Sequence, residues 1–432
     1  MIDFRKNTNL FISGNLTNAK LNIFTFAALT TLTLTLGVNF IQEMSKATRH
    51  LTTVVSTTLG MRLFSMSIII PFLSVYALNI EGGSPALIGY ALGIFGLTQS
   101  ILQIPFGMLS DRIGYKKMMI AGLLMLIAGL LAAAYATNIY GLIFARALQG
   151  SGAIVTVGYS WISSVASNED RNRELTRLGA VIGTFTMLSF TVGPLLHIFM
   201  NVSQMFIFSA VLIFCCMIWV MLDTKQVSQE KRKLFASAKT EKKTVFNRKN
   251  LTMGLMLTVN NLLMMAFFYM LPLLLDGILE TNQMWMILTP AILVSIGLLP
   301  LFSKVADKGK SHFLIIFLYL LEGIGFLLIY FQTLTGICIG TILLMSGAFS
   351  ISTIVPMLAN KEMDNKQRGK GNGIIVSLQY FGSFLGAAVT GIFWSISPDI
   401  AFLFTAVMTG LGIMLVLTFP RRKKKVEFSE SY

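Results

Sequence analysis

The chain has 432 residues, 54% of them hydrophobic and 12% charged, with a formal charge of +15. Soluble domains carry about 25% charged residues, so the composition excludes a soluble globular enzyme and points to one polytopic membrane protein. A basic balance would suggest nucleic acid in a soluble chain, but no folded basic face is legible here, and nucleic acid is excluded as a partner.

Residues 1–43 come first and stand apart. The stretch 21–41 is moderately apolar but crowded with Thr30, Thr31, Thr33 and Thr35. The first expectation is a peripheral or disordered extension, the second a further span. The third is a functional start near Met44; no convincing signal-peptide cleavage site is apparent. Apolar runs of about 20 residues cross a bilayer core. Twelve follow, at 51–78, 86–109, 118–136, 140–164, 178–200, 204–222, 251–275, 284–302, 313–331, 334–356, 373–396 and 399–420. They are continuous rather than alternating, which argues for helices over barrel strands.

The gaps between these spans alternate in charge. Segments 79–85, 137–139, 201–203, 276–283, 332–333 and 397–398 hold no Lys or Arg. The opposite set, 43–50, 110–117, 165–177, 223–250, 303–312, 357–372 and 421–432, holds 29 of the 34. By the positive-inside rule that set is cytoplasmic, with the start of span 1 and the C-terminus. The long gap 223–250 carries nine Lys/Arg and the acids Asp223, Glu230 and Glu241. It reads as a solvated linker along anionic headgroups. The expected organisation is an N-terminal bundle 44–222, the linker 223–250, a C-terminal bundle 251–420 and a basic tail 421–432.

The halves repeat weakly. Asp111-Arg112 with Lys116-Lys117 is echoed by Asp307-Lys308 with Gly309-Lys310, and Arg171…Arg173 before Gly179 by Lys366…Arg368 before Gly373. Gly193 in span 5 is echoed by Gly386 in span 11. Such parallel repeats place a solute site between the halves near the midplane.

Other residue chemistry is sparse. Cys215, Cys216 and Cys338 all fall within spans and read as packing. His50, His197 and His312 have no metal-ligand spacing. Gly309-Lys310-Ser311 imitates the end of a phosphate loop, but Lys304 stands where the leading glycine belongs. No cofactor or metal is expected, and the chain reads as a non-enzyme.

The richest local pattern is Gly107-Met108-Leu109-Ser110-Asp111-Arg112-Ile113-Gly114-Tyr115-Lys116-Lys117. It reads as a short charged loop between spans 2 and 3. It resembles the loop between the second and third helices of the major facilitator superfamily, G-x-[LF]-[AS]-D-R-x-G-[RK]-[RK]-x, with Tyr115 in place of a basic residue. Arg146 and Gln149-Gly150 resemble the family's fourth-helix motif R-x-x-[QG]-G. Gly193-Pro194 partly resembles the fifth-helix antiporter motif, although Ser189 and His197-Ile198 depart from it. The resemblance covers roughly residues 45–420 and is nearest the bacterial drug and metabolite efflux branch.

The resemblance implies an all-α integral membrane protein with the MFS fold, twelve transmembrane helices arranged as two six-helix bundles. It implies a conformational latch of Gly107, Asp111, Arg112, Gly114, Lys116 and Lys117 against the N-terminus of span 11 at Gly371–Gly373, where free N–H groups carry a positive dipole end. Arg112, Lys116 and Lys117 are available to nearby acids. Arg146 with Gln149 would serve proton transfer or tune an acidic partner. Arg62 would line the cavity in span 1 and could bind an anionic group.

From the residues alone, Glu322 is the one acid deep within a span and a functional candidate by default, although span 9 lies peripherally in the resembled fold. Gln99, Gln103, Asn260, Asn261, Tyr269, Gln379 and Tyr380 are candidates to line the cavity or to join helices. The expected function is proton-coupled efflux of small amphipathic drugs or metabolites, with import of a polar or anionic metabolite as the alternative and a non-transporting receptor as a third reading. The expected partners are a small-molecule substrate, a proton or other coupling ion and the lipid bilayer, with the chain acting as a monomer in the cytoplasmic membrane.

Overall fold

The short gaps without Lys or Arg are where helix starts are most tightly built. Ser84 accepts from Leu87 N–H, Asn138 from Gly141, Thr333 from Gly336 and Ser397 from Asp399, while Asn201 and Gln204 form a reciprocal capping box. Each supplies an acceptor to N–H groups that have no partner within the helix. Pro85 and Pro398 begin their helices, where a missing N–H costs nothing. At the basic end, the starts after Gly114, Asp170 and Lys310 have no side-chain cap.

This computed structural model describes residues 46–166, 170–224, 248–276, 278–279, 283–363 and 368–419. The extension 1–43, residues 225–247 of the linker and the tail 421–432 lie outside the described residues. The chain separates into a unit Met1–His50, described over 46–50, and a unit Leu51–Tyr432 that holds all the packing below.

The described residues are almost wholly helical, with one isolated bridge between Glu81 and Asn138. Span 1 is Lys46–Ser67 followed by Ile70–Leu78, interrupted just before Pro71. Spans 2 and 3 are Pro85–Ile113 and Tyr115–Ala134. Span 4 is broken into Ile139–Ser151 and Val155–Val165, and spans 5 and 6 are Arg171–His197 and Val202–Asp223. Spans 7 and 8 are Arg248–Leu275 and Trp285–Val305. Spans 9 to 12 are Ser311–Tyr330, Leu334–Glu362, Arg368–Ile396 and Pro398–Thr418. Eleven continuous helical segments are long and apolar enough to cross a membrane. One of them, Trp285–Tyr330, has 46 residues, about twice the length a bilayer needs. It contains the non-helical Gly309 at φ 78°, so it makes two crossings and the total among the described residues is twelve.

One expectation changes here. Only Gly114, at φ 122°, leaves helical geometry between spans 2 and 3; the expected loop 107–117 is otherwise the end of one helix and the start of the next.

Glycines set how closely the spans approach, and the two halves use them alike. A side-chain carbon at Gly193 would stand 2.9 Å from Ile68 Cα, and one at Gly386 would stand 2.8 Å from Leu262 Cα. Span 5 thus lies against the backbone of span 1 as span 11 does against span 7. Gly129 meets Ala145 and Gln149 between spans 3 and 4, and Gly325 meets Gly340 and Leu344 between spans 9 and 10. The repeat seen in sequence is a repeat of contacts.

Substituting Gly386→Val would drive a branched side chain into the Leu262 backbone. Overpacking of this kind costs about 1–3 kcal/mol. The expected result is a clear fall in the melting temperature of the purified protein in detergent. Gly297→Val, where no atom stands within 4 Å, should leave it unchanged.

Candidate functional site

Spans 2 and 11 form the closest inter-bundle contact. On span 2, Gly89, Gly93 and Gly96 recur on one face. A side-chain carbon at these positions would lie 2.5 Å from Ala387 O, 2.9 Å from Phe384 O and 2.6 Å from Tyr380 O. Gly391 would similarly stand 2.8 Å from Pro85 O. Small residues at such spacing let helix backbones meet where lipid offers no hydrophobic driving force. Tyr269 extends the seam by donating to Pro85 O at 2.8 Å, and Ser74 donates to Phe268 O at 3.3 Å. Phe190 of span 5 stacks on Phe268 of span 7 at 4.8 Å and packs against Phe349 of span 10 at 5.8 Å. These contacts close the uncharged end.

A buried polar chain lies deeper. Arg62 is fully buried and donates through Nη2 to Gln99 Oε1 at 2.5 Å. A guanidinium only donates, so Gln99 turns its amide nitrogen to Gln103 Oε1, at 2.9 Å. Gln103 Nε2 then donates to Thr156 Oγ1 at 2.5 Å. Tyr380 of span 11 lies beside Arg62 and Tyr159, and its ring meets Phe95 edge-on at 6.3 Å. Arg62, Gln99, Gln103 and Tyr380 are therefore brought together. Arg62 Nε and Nη1 find no acceptor.

Arg146 lies elsewhere. Its Nη1 donates to Gln149 at 2.6 Å and its Nε to Ala91 O at 3.3 Å, and the guanidinium sits 4.5 Å from the centre of the Phe95 ring. Gln149 also donates to Gly129 O. This arginine ties span 4 to spans 2 and 3. Asn260 donates to Ser352 of span 10 at 2.9 Å, whereas Asn261 turns back to Leu257 O of its own helix. Gln379 is half-buried.

Glu322 is fully buried between spans 9 and 10, against Gly347, and neither carboxyl oxygen finds a partner. It is not the one buried acid. Glu174 is also fully buried with both oxygens unpartnered, because span 5 begins at Arg171 and takes it into the helix.

The latch region differs from expectation in three ways. Asp111 is exposed and accepts from Tyr115 Oη at 2.9 Å; the tyrosine that replaces a basic residue is its partner. Lys116 pairs with no acid but donates to Met221 O and Thr224 O at 2.8 and 2.5 Å, binding the carbonyl end of span 6. Arg112 and Lys117 are exposed. Gly371 and Gly373 are not a helix N-terminus: span 11 begins at Arg368, and both glycines are buried within its first turns.

What stands at this point of the seam is Thr156. Its Cγ2 lies 2.7 Å from a side-chain carbon built on Gly107 and 3.5 Å from one built on Gly373. Thr156 wedges span 4 between spans 2 and 11. Sequence reading passed over it, and also over the spacing of Gly89, Gly93 and Gly96, which was the available signal for the seam.

The Major Facilitator Superfamily model matches residues 55–387 and 277–431. The chain belongs to this family. It is 28% identical to the inner membrane transport protein YajR of Escherichia coli over 81% of this chain and 78% of that one. It is 32% identical to the multi-drug resistance efflux pump PmrA of Streptococcus pneumoniae over 40% of this chain and 47% of that protein. A D-xylose–proton symporter superposes with a TM-score of 0.68 at 15% identity, covering 86% of this chain and 98% of the symporter. The chain is a multi-pass secondary transporter of this superfamily, which points to transport rather than enzymatic catalysis.

Adding a methyl at Gly107 should disturb the wedge. Gly107→Ala is expected to lower transport turnover several-fold in reconstituted vesicles. Thr156→Ser removes the colliding methyl and keeps the hydroxyl that Gln103 reaches, so it should restore turnover in the double variant.

Proposed function

We propose that this transporter exports small amphipathic compounds from the cytoplasm by alternating access, driven by a proton gradient. It acts as a monomer in the cytoplasmic membrane, with both bundle termini on the cytoplasmic side. The observation that carries the reading is a buried polar cluster at the seam of two helical bundles, closed by hydrogen bonds and ring contacts at one end, with Asp111 held by Tyr115 rather than by span 11 at the other. The closed end has no Lys or Arg in its short gaps, and the other end holds the basic segments. By charge placement the closed end is the outer one, so parting the bundles at the Thr156 contact on the basic side would admit a compound from the cytoplasm, as an exporter requires.

In the opposite state the bundles part at the uncharged end. Asp111 then leaves Tyr115 for the free N–H groups of the first turn of span 11, which begins at Arg368. The relatives that are drug efflux pumps support export. Glu322 and Glu174 are the buried carboxyls available to carry the coupling proton, one in each half of the chain.

Two measurements test the reading. In everted membrane vesicles, uptake of the exported compound should follow an imposed pH gradient and collapse with a protonophore; gradient-independent uptake would remove proton coupling. A carboxylate at a helix N-terminus is worth about 0.3–2 kcal/mol, so Asp111→Asn should slow turnover by roughly a factor of 2 to 30. Membrane insertion should be unchanged, and unaltered turnover would sink the latch.

A further inference from the structure

We infer that Arg62 is the docking point for the negative charge of the cargo, and that the cargo class is amphipathic organic monoanions bearing a carboxylate or sulfonate. This rests on the transport reading above and names its substrate chemistry.

The two buried arginines of the N-terminal half make the case by contrast. Arg146 has acceptors for Nε and Nη1 and an aromatic face beneath it, and leaves Nη2 alone without an acceptor. Arg62 has five N–H groups; Nη2 donates to Gln99, and the Tyr380 hydroxyl lies within polar reach of the guanidinium, while Nε and Nη1 are left without an acceptor. Gln99 and Tyr380, the side chains placed against it, are neutral, as are Gln103, Thr156 and Tyr159 beyond them. A cation inside a membrane protein is costly unless it faces a partner or a cavity. Gln99 presents its one acceptor oxygen to Arg62 because its amide nitrogen donates to Gln103, and that of Gln103 donates to Thr156. The chain of amides holds the guanidinium in place and leaves its remaining donors open.

One guanidinium balances one negative charge. A dianion would bring an uncompensated charge into the same buried space, at high cost, so the geometry selects a monoanion. Oxyanions that present two oxygens side by side match the guanidinium fork better than spherical ions do. The Phe95–Tyr380 aromatic pair beside the site supplies the surface for an apolar body. Arg62 is fully buried in this state, so a ligand reaches it as the bundles part.

The test uses the full-length protein in nanodiscs of zwitterionic lipid. Titration calorimetry compares 4-butylbenzenesulfonate with its neutral sulfonamide, and inorganic phosphate serves as a competitor. The sulfonate should bind at least tenfold more tightly than the sulfonamide, and phosphate should not displace it. Arg62→Gln should abolish that preference, and Arg62→Lys, which keeps the charge but loses the fork, should weaken it. Equal binding of the two probes by the unmodified protein would overturn the inference without recourse to any variant. So would a preference that survives Arg62→Gln, or displacement by phosphate. Flux in proteoliposomes separates the two readings. Sulfonate binding without flux would leave the anion site standing and remove transport. Sulfonamide flux equal to sulfonate flux and unaffected by Arg62→Gln would remove the anion site and leave transport.

Discussion

The fold depends on backbone-to-backbone contact between spans 2 and 11. Inside a bilayer, apolar side chains gain nothing by leaving lipid for protein, so helices associate through close packing and hydrogen bonds. Gly89, Gly93 and Gly96 on one side, and Gly391 on the other, remove the side chains that would keep the axes apart. The contact therefore has a large dispersion term and few specific bonds. Tyr269 to Pro85 and Ser74 to Phe268 are the hydrogen bonds at its uncharged end. A seam built this way can part without leaving many unsatisfied polar groups behind, which an interface knit from buried salt bridges could not do.

The same economy explains where polar groups were placed. Within the N-terminal half, the polar chain from Arg62 to Thr156 runs from span 1 through span 2 to span 4. Its last member touches both Gly107 and Gly373. The residue that terminates the hydrogen-bond chain is thus the residue that spaces the bundles at the basic side of the seam. Events at Arg62 and the position of span 11 are linked through three side chains in direct contact, a short physical path rather than a diffuse one.

Much of this was legible in the sequence. Twelve spans, the alternating basic gaps and the duplicated six-helix unit all follow from hydropathy, charge and spacing. Arg62, Gln99, Gln103 and Tyr380 stood out as polar groups in apolar helices, which must find partners. The misses share a physical cause: helices continue past the apolar run. Glu174 looked like loop because the run begins at residue 178, yet the helix starts at Arg171 and buries it. Gly371 and Gly373 looked like a terminus because glycine punctuates, yet here glycine gives close approach inside a helix. Thr156 was invisible because threonine among apolar neighbours carries no signal until its two glycine partners are known.

The two halves share contacts but not chemistry. Spans 1 and 7 meet spans 5 and 11 in the same way, as do spans 3 and 4 and spans 9 and 10. Yet the buried cations lie in the N-terminal half, and in the C-terminal half the fully buried carboxyl is Glu322, away from the seam between spans 9 and 10. A duplicated scaffold supplies two rigid bodies and an axis for rocking. Divergence of a few side chains would then divide the labour: on the anion-site proposal, the N-terminal body holds the solute through Arg62 while the other moves against it. Arg146 fits such a division, since its bonds to Gln149 and Ala91 tie span 4 to its neighbours within the N-terminal body.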